Sequence, residues 1–202
     1  MTHVQRRFLV SALLPVLLPV LVSVLVSGLL VVPSLHAPAG AAVPSKSAWL
    51  ADTRDAMYGS RAFVDRRVAQ GGRLAVNLDI DNTALASYFD PGPYGGAVPV
   101  VLRFAKYAKA RGVSVVFNTA RARRQLREAV EVLRRAGYPV TSICGRRVAD
   151  GESTPASKQR CRAQFVSRGW RIIANVGNSP TDFVGRNYER SFRLPNYGGR
   201  LG

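Results

Sequence analysis

Four short apolar runs, at residues 74–78, 113–117, 140–143 and 171–176, alternate with stretches of helical periodicity, and no other feature constrains the fold as much. Leu74-Ala75-Val76-Asn77-Leu78 shows the type: it is too short for a helix, follows Gly71-Gly72 and ends at acidic residues, so it reads as a buried strand. The periodicity predicts helices over 47–70, 100–111, 121–136 and 155–168. Leu50, Met57, Val64 and Val68 share a face of the first, and Val101, Leu102, Ala105 and Ala108 a face of the second. In the third, Leu126, Ala129, Val130 and Leu133 form the apolar stripe, with Arg123, Arg124, Arg127 and Arg134 largely outside it. Gly112 and Gly137 close the second and third helices. Residues 90–99, rich in Pro and Gly, read as a loop, and a last short strand is expected at 191–194. Strands that alternate with helices of this length form a parallel sheet covered on both faces, a three-layer α/β domain. Ligands in such domains bind beyond the carboxyl ends of the strands, so the residues there are the candidates for function. No long insertion separates Thr83 from the second strand, so any cap over that end is small.

Residues 1–42 read as a separate leader and linker, before a domain at 43–202. Arg6 and Arg7 precede an apolar run from Phe8 to Val32, and small residues follow, with Ala39 and Ala41 at the spacing of a cleavage site. The expectation is export, to a secreted or cell-envelope location. The run is also long enough to serve as an uncleaved membrane anchor. Both histidines, His3 and His36, lie in this leader. The domain behind it therefore has no Ser-His-Asp triad, no phosphohistidine and no His-bearing zinc site. Cys144 and Cys161 are an even pair, which in an oxidising compartment points to a disulfide, the alternative being two buried thiols. Asp150 and Ser167 stand six positions after them, so neither begins a cysteine-phosphate loop closed by arginine.

Twenty-nine Lys plus Arg against 12 Asp plus Glu give a formal charge of +17. Such a surface favours anionic partners, among them phosphorylated small molecules and an anionic envelope, though solvated arginines also serve solubility alone. Aromatic residues are sparse, at 8%, and no nucleic-acid-binding motif is present, which argues against a specific nucleic-acid partner.

Asp79-Ile80-Asp81-Asn82-Thr83 follows the first strand directly. One carboxylate at such a place can attack phosphorus, and a second can protonate a leaving oxygen and then activate water. Two carboxylates beside a phosphate call for a cation, and Mg²⁺ suits a site of oxygen ligands. Thr119 follows the second strand, where its hydroxyl and the backbone N–H groups of a helix start, Ala120 among them, can hold phosphate oxygens; it could equally act as a helix cap. Lys158, one of four lysines among 25 arginines, precedes the last core strand and can neutralise a phosphate, or be an ordinary surface lysine. Gly177-Asn178-Ser179-Pro180-Thr181-Asp182 follows that strand, with oxygen donors for a metal or simply a turn.

In this order the features resemble the four motifs of the haloacid dehalogenase superfamily. Within it the chain resembles the secreted acid phosphatases of the class B and plant-type group, through Leu78 to Thr83, the Lys158 to Arg162 spacing, and Phe192-Arg193-Leu194-Pro195-Asn196. The likeness covers about residues 47–197. It implies a Rossmann-like fold and an exported, Mg²⁺-dependent phosphomonoesterase acting on phosphorylated small molecules through an aspartyl-phosphate. Asp79 would be the nucleophile and Asp81 the general acid and base. Thr119, Ala120 and Lys158 would hold the phosphoryl group, and Asp79, the Asp81 backbone carbonyl, Asn178 and Asp182 the metal. The family often has Asp where this chain has Asn178, a neutral ligand. The alternative is a catalytically weakened phosphatase fold that binds anionic ligands or the envelope through its arginines, touching a membrane only if the leader stays uncleaved.

Overall fold

Leu74–Leu78 (β1) is buried along its whole length and lies at the centre of a parallel sheet. The computed structural model describes residues 43–92 and 95–201. The expected leader and linker lie outside the described residues. Before β1 come helices Lys46–Ala56 (α1) and Ser60–Val68 (α2), and after it Pro99–Ala110 (α3), Ser114–Ala122 (β2) and Leu126–Arg135 (α4). Ser142–Arg146 (β3), Thr154–Ser167 (α5), Arg171–Gly177 (β4) and Arg190–Arg193 (β5) complete the order. The strands lie in the order β3-β2-β1-β4-β5, all neighbours parallel. The chain runs outward from β1 through β2 to β3, then crosses back to β4 on the other side of β1. The gap between the carboxyl ends of β1 and β4 is thus the point where the winding reverses, the usual place for a ligand in an open sheet.

The two faces follow from strand periodicity. Leu74, Val76 and Leu78 of β1, with Phe117 of β2 and Ile173 of β4, meet Trp49, Val64, Phe104 and Leu133 from α1, α2, α3 and α4. Ala75, Val116 and Ile172 meet Cys161 and Phe165 of α5 in a second cluster. Burying each large side chain of this kind contributes about 1.5–3 kcal/mol. Three layers result, as expected.

Several boundaries differ from the sequence reading. The single helix expected over 47–70 is two helices, because Gly59 takes a left-handed conformation, φ 72°, that a side chain would oppose. The helix expected from residue 121 starts later. The chain stays extended to Ala122, which pairs with Arg146 of β3, and a 3-10 turn at Arg123–Gln125 precedes α4. The Gln125 side chain accepts the Ala122 N–H at 2.8 Å and fixes that switch. Val132, with Ala129 and Leu133, is the buried part of α4, and Val130 is half-buried. The strand expected at 140–143 is Ser142–Arg146. Among the described residues, the connection from β1 to α3 carries no cap domain. It is a turn-rich loop whose Leu85 bridges Asp81 and Ala97. No helix among the described residues is long and apolar enough to cross a membrane.

Cys144 and Cys161, 17 positions apart in sequence, form a disulfide between β3 and α5. Closing a loop of that size stabilises by roughly 3 kcal/mol through the unfolded state. Reducing the protein should lower its unfolding free energy by about that amount in a urea titration. An unchanged midpoint would mean that the bond does not brace α5.

Candidate active site

Asp79 leaves β1 with its N–H bonded to the Val176 carbonyl of β4 at 3.0 Å. The chain then coils tightly, the N–H groups of Ala84 and Leu85 both reaching the Ile80 carbonyl at 2.9 and 2.8 Å. Asn82 holds the coil in a left-handed conformation, φ 52°. Its amide nitrogen donates to the Leu201 carbonyl at 2.5 Å, and its oxygen accepts the Tyr88 N–H at 2.8 Å. Asn tolerates this region better than most residues. The turn thus aims Asp79 and Asp81 into a cavity of about 460 Å³ and ties the chain's last turn to its rim.

Lys158 projects from α5 into the same cavity and is only 2% exposed. Its ammonium donates to Asp79 Oδ1 and to the Asn118 carbonyl at 2.8 Å, and pairs with Asp182 Oδ1 at 2.7 Å. The Asn118 side chain in turn donates to the Lys158 carbonyl at 2.7 Å, so β2 grips both ends of the residue. Burial opposes the charge on Lys158, but the two carboxylates outweigh it and hold its pKa above the ordinary value. Asp79 bears the cost. Burial first, then the charge of Asp182, push its carboxyl up to about 7 against the pull of Lys158.

Asp182 reaches this place because the turn after β4 folds inward. Its second oxygen accepts the Ser179 N–H at 3.0 Å, and the carboxylate fills the space that a Cβ on Gly177 would need. Fully buried Arg162 secures the turn from α5, donating to the carbonyls of Asp182 at 2.7 Å, Arg186 at 3.0 Å and Val184. Asn178 lines the cavity, its amide oxygen accepting from the Thr83 hydroxyl at 3.3 Å.

Asp81 faces the cavity from the other side. Burial works against its ionisation, yet Arg121 binds it in a fork, at 2.6 and 3.0 Å, and Ser87 donates at 2.7 Å, so its pKa lies below the usual carboxylate value.

The sequence-predicted residues therefore converge with one exception. Asp79, Asp81, Ala120, Lys158, Asn178 and Asp182 all line the cavity. Thr119 is fully buried behind the wall, and its hydroxyl accepts the Arg121 N–H at 3.2 Å. No helix begins directly after it, so the helix-start phosphate cradle expected there is replaced by a segment that stays extended to Ala122. The sequence reading missed Arg121, Ser87, Leu201 and the anchoring role of Asn82. Arg121 alone carried a local signal, as a cation two residues beyond the strand-end threonine.

Asp79 Oδ2 accepts no hydrogen bond among the described residues, and the Asn178 oxygen lies in the same cavity wall. These are hard oxygen donors of the kind that fits Mg²⁺. Both Asp182 oxygens are engaged, and among the described residues no three acidic, His or Cys side chains gather as a metal cluster.

A family model described as HAD superfamily, subfamily IIIB (acid phosphatase), matches residues 92–200. The chain belongs to this family. The match takes in Thr119, Lys158 and the turn after β4, while the Asp79 turn precedes it and is joined to it by the contacts above. Membership makes the chain a phosphomonoesterase of the haloacid dehalogenase type. No curated protein matches the sequence. The fold is similar to that of the class C acid phosphatase from Bacillus anthracis, at 19% identity and a TM-score of 0.61, over 75% of this chain and 79% of that one. The same enzyme with tungstate bound gives 0.60 at the same identity and coverage.

Proposed function

We propose that the chain is an exported, Mg²⁺-dependent phosphomonoesterase that works through an aspartyl-phosphate on Asp79. The observation that carries this reading is the ammonium of Lys158 bound to Asp79 inside the cavity, with Asp81 on the facing wall. Asp79 Oδ2 attacks phosphorus, and the ester P–O bond breaks as Asp81 gives its proton to the leaving oxygen. Asp81, now a carboxylate, takes a proton from water, whose oxygen attacks phosphorus; the Asp79–phosphorus bond breaks and phosphate leaves. Lys158 and Ala120 on the cavity wall hold the phosphoryl oxygens, Thr119 supports that wall from behind, and Arg121 positions Asp81. Mg²⁺ would be held by Asp79, the Asp81 carbonyl and Asn178, with Asp182 supporting the site from behind Lys158. When bound, it neutralises charge on the phosphoryl oxygens. The substrate is a phosphorylated small molecule. The disulfide and the expected leader support an oxidising destination, secreted or in the envelope, where the basic surface favours anionic polymers.

Metal affinity at hard-cation sites follows ligand charge. The wild type should release phosphate from a generic phosphomonoester with Mg²⁺ and stop with chelator, and Asn178→Asp should lower the Mg²⁺ concentration for half-maximal rate about tenfold. A wild type inactive at every Mg²⁺ concentration would favour the anion-binding alternative.

The first step needs Asp81 protonated, and Arg121 depresses its pKa. With Mg²⁺ beside Asp79 to keep that carboxyl ionised, the rate should therefore rise as pH falls below neutrality. Arg121→Ala relieves the depression and should move the rising limb of the kcat profile to higher pH. A limb that stays in place would remove Arg121 from this role.

A further inference from the structure

A second cavity, of about 230 Å³, opens at the carboxyl ends of β2 and β3, on the same edge of the sheet as Asp79. Arg123, Arg124, Arg146 and Arg147 line it, with Asp150 as its one acidic side chain. Two contacts place it beside the catalytic cavity. Ala120 lines the catalytic cavity and Ala122, two residues along the same strand, lines the arginine cleft. Thr154 lines the catalytic cavity and accepts from Arg146 Nη1 at 3.3 Å, so this pair forms the partition.

The arginines are poised for an anion. The side chains of Arg123, Arg124 and Arg147 form no ion pair among the described residues, whereas Arg67, Arg111, Arg121, Arg160 and Arg171 all do. Arg146 Nε is buried without a hydrogen-bond partner. A buried N–H in that condition is unusual, and it leaves Arg146 with hydrogen-bonding capacity beyond its Thr154 contact. Guanidinium forks match the oxygens of a phosphate.

We propose that this cleft is a second phosphate subsite, so that the preferred esters carry two phosphoryl groups, one at Asp79 and one between Arg124, Arg146 and Arg147. The proposal rests on the phosphatase reading and adds a substrate class to it: bisphosphorylated small molecules. A phosphodiester chain offers the same oxygens, but exposed Asp150 repels a polyanion running on past it.

The test compares kcat/KM for a hexose bisphosphate, the matching hexose monophosphate and a 5′-phosphorylated oligonucleotide, using full-length wild type, Arg124→Gln and Arg147→Gln with Mg²⁺. The wild type should prefer the bisphosphate about tenfold, through KM rather than kcat. Each variant should bring that ratio close to one and leave hydrolysis of the monophosphate unchanged. Equal use of both hexose esters by the wild type, variants that keep the preference, or a gain seen only with the oligonucleotide would overturn the subsite and leave the phosphatase reading standing. If the wild type hydrolyses none of the three, that reading fails instead. Calorimetric titration of the hexose bisphosphate then decides the cleft alone: weaker binding to both variants supports it, and equal binding overturns it.

Discussion

The charge on Lys158 is buried at 2% exposure, and most of the site exists to keep it there. An ammonium taken out of water keeps its proton only where acceptors replace the solvent. Here they come from three separate elements: Asp79 after β1, the Asn118 carbonyl on β2, and Asp182 after β4. These three strands are neighbours, so the lysine from α5 draws their carboxyl ends together. Two carboxylates share one ammonium here, and burial first, then that imbalance, raises Asp79. Such a carboxylate is relieved by a cation or by forming a bond to phosphorus, and both belong to the proposed chemistry.

What surrounds Lys158 follows from holding it. The disulfide fixes α5 to β3 three residues beyond the lysine, and Arg162, one helical turn on, binds three carbonyls of the segment that delivers Asp182. Removing Arg162 would take one donor from each of these carbonyls, although the Asp182 carbonyl keeps Asn175. The Asn77 amide donates to Asn175 at 2.6 Å, and Asn175 to the Asp182 carbonyl at 2.9 Å, which carries the support across β1 and β4. Asp81 is held differently, half-exposed and paired with Arg121. One cavity therefore contains a carboxylate pushed up and another pushed down, and attack by Asp79 needs a cation beside it to keep it ionised.

Much of this was legible in the sequence where the signal is local. β1 and β4 are apolar runs closed by turn residues, and the chemistry-bearing side chains follow them directly, so Asp79, Asp81, Asn178 and Asp182 could be placed at one sheet edge. Lys158 was legible as a rare lysine before the last core strand. Elsewhere the signal was not local. The arginines after Thr119 read as the exposed face of a helix, because extended backbone there depends on pairing with β3 and on the Gln125 side chain. Gly59 lay inside a stretch whose apolar periodicity ran past it. The Arg121–Asp81 fork spans 40 positions and the Asn82–Leu201 bond 119, distances at which residue patterns carry no information without the fold.

The central claim is that Asp79, next to the Lys158 ammonium, accepts a phosphoryl group. Beryllofluoride mimics that group on a carboxylate, and fluorine NMR reports its capture. The account predicts one bound beryllofluoride per chain in the presence of Mg²⁺, none with chelator, and none in Asp79→Asn. Capture that persists in Asp79→Asn, or no capture by wild type with Mg²⁺, would contradict it.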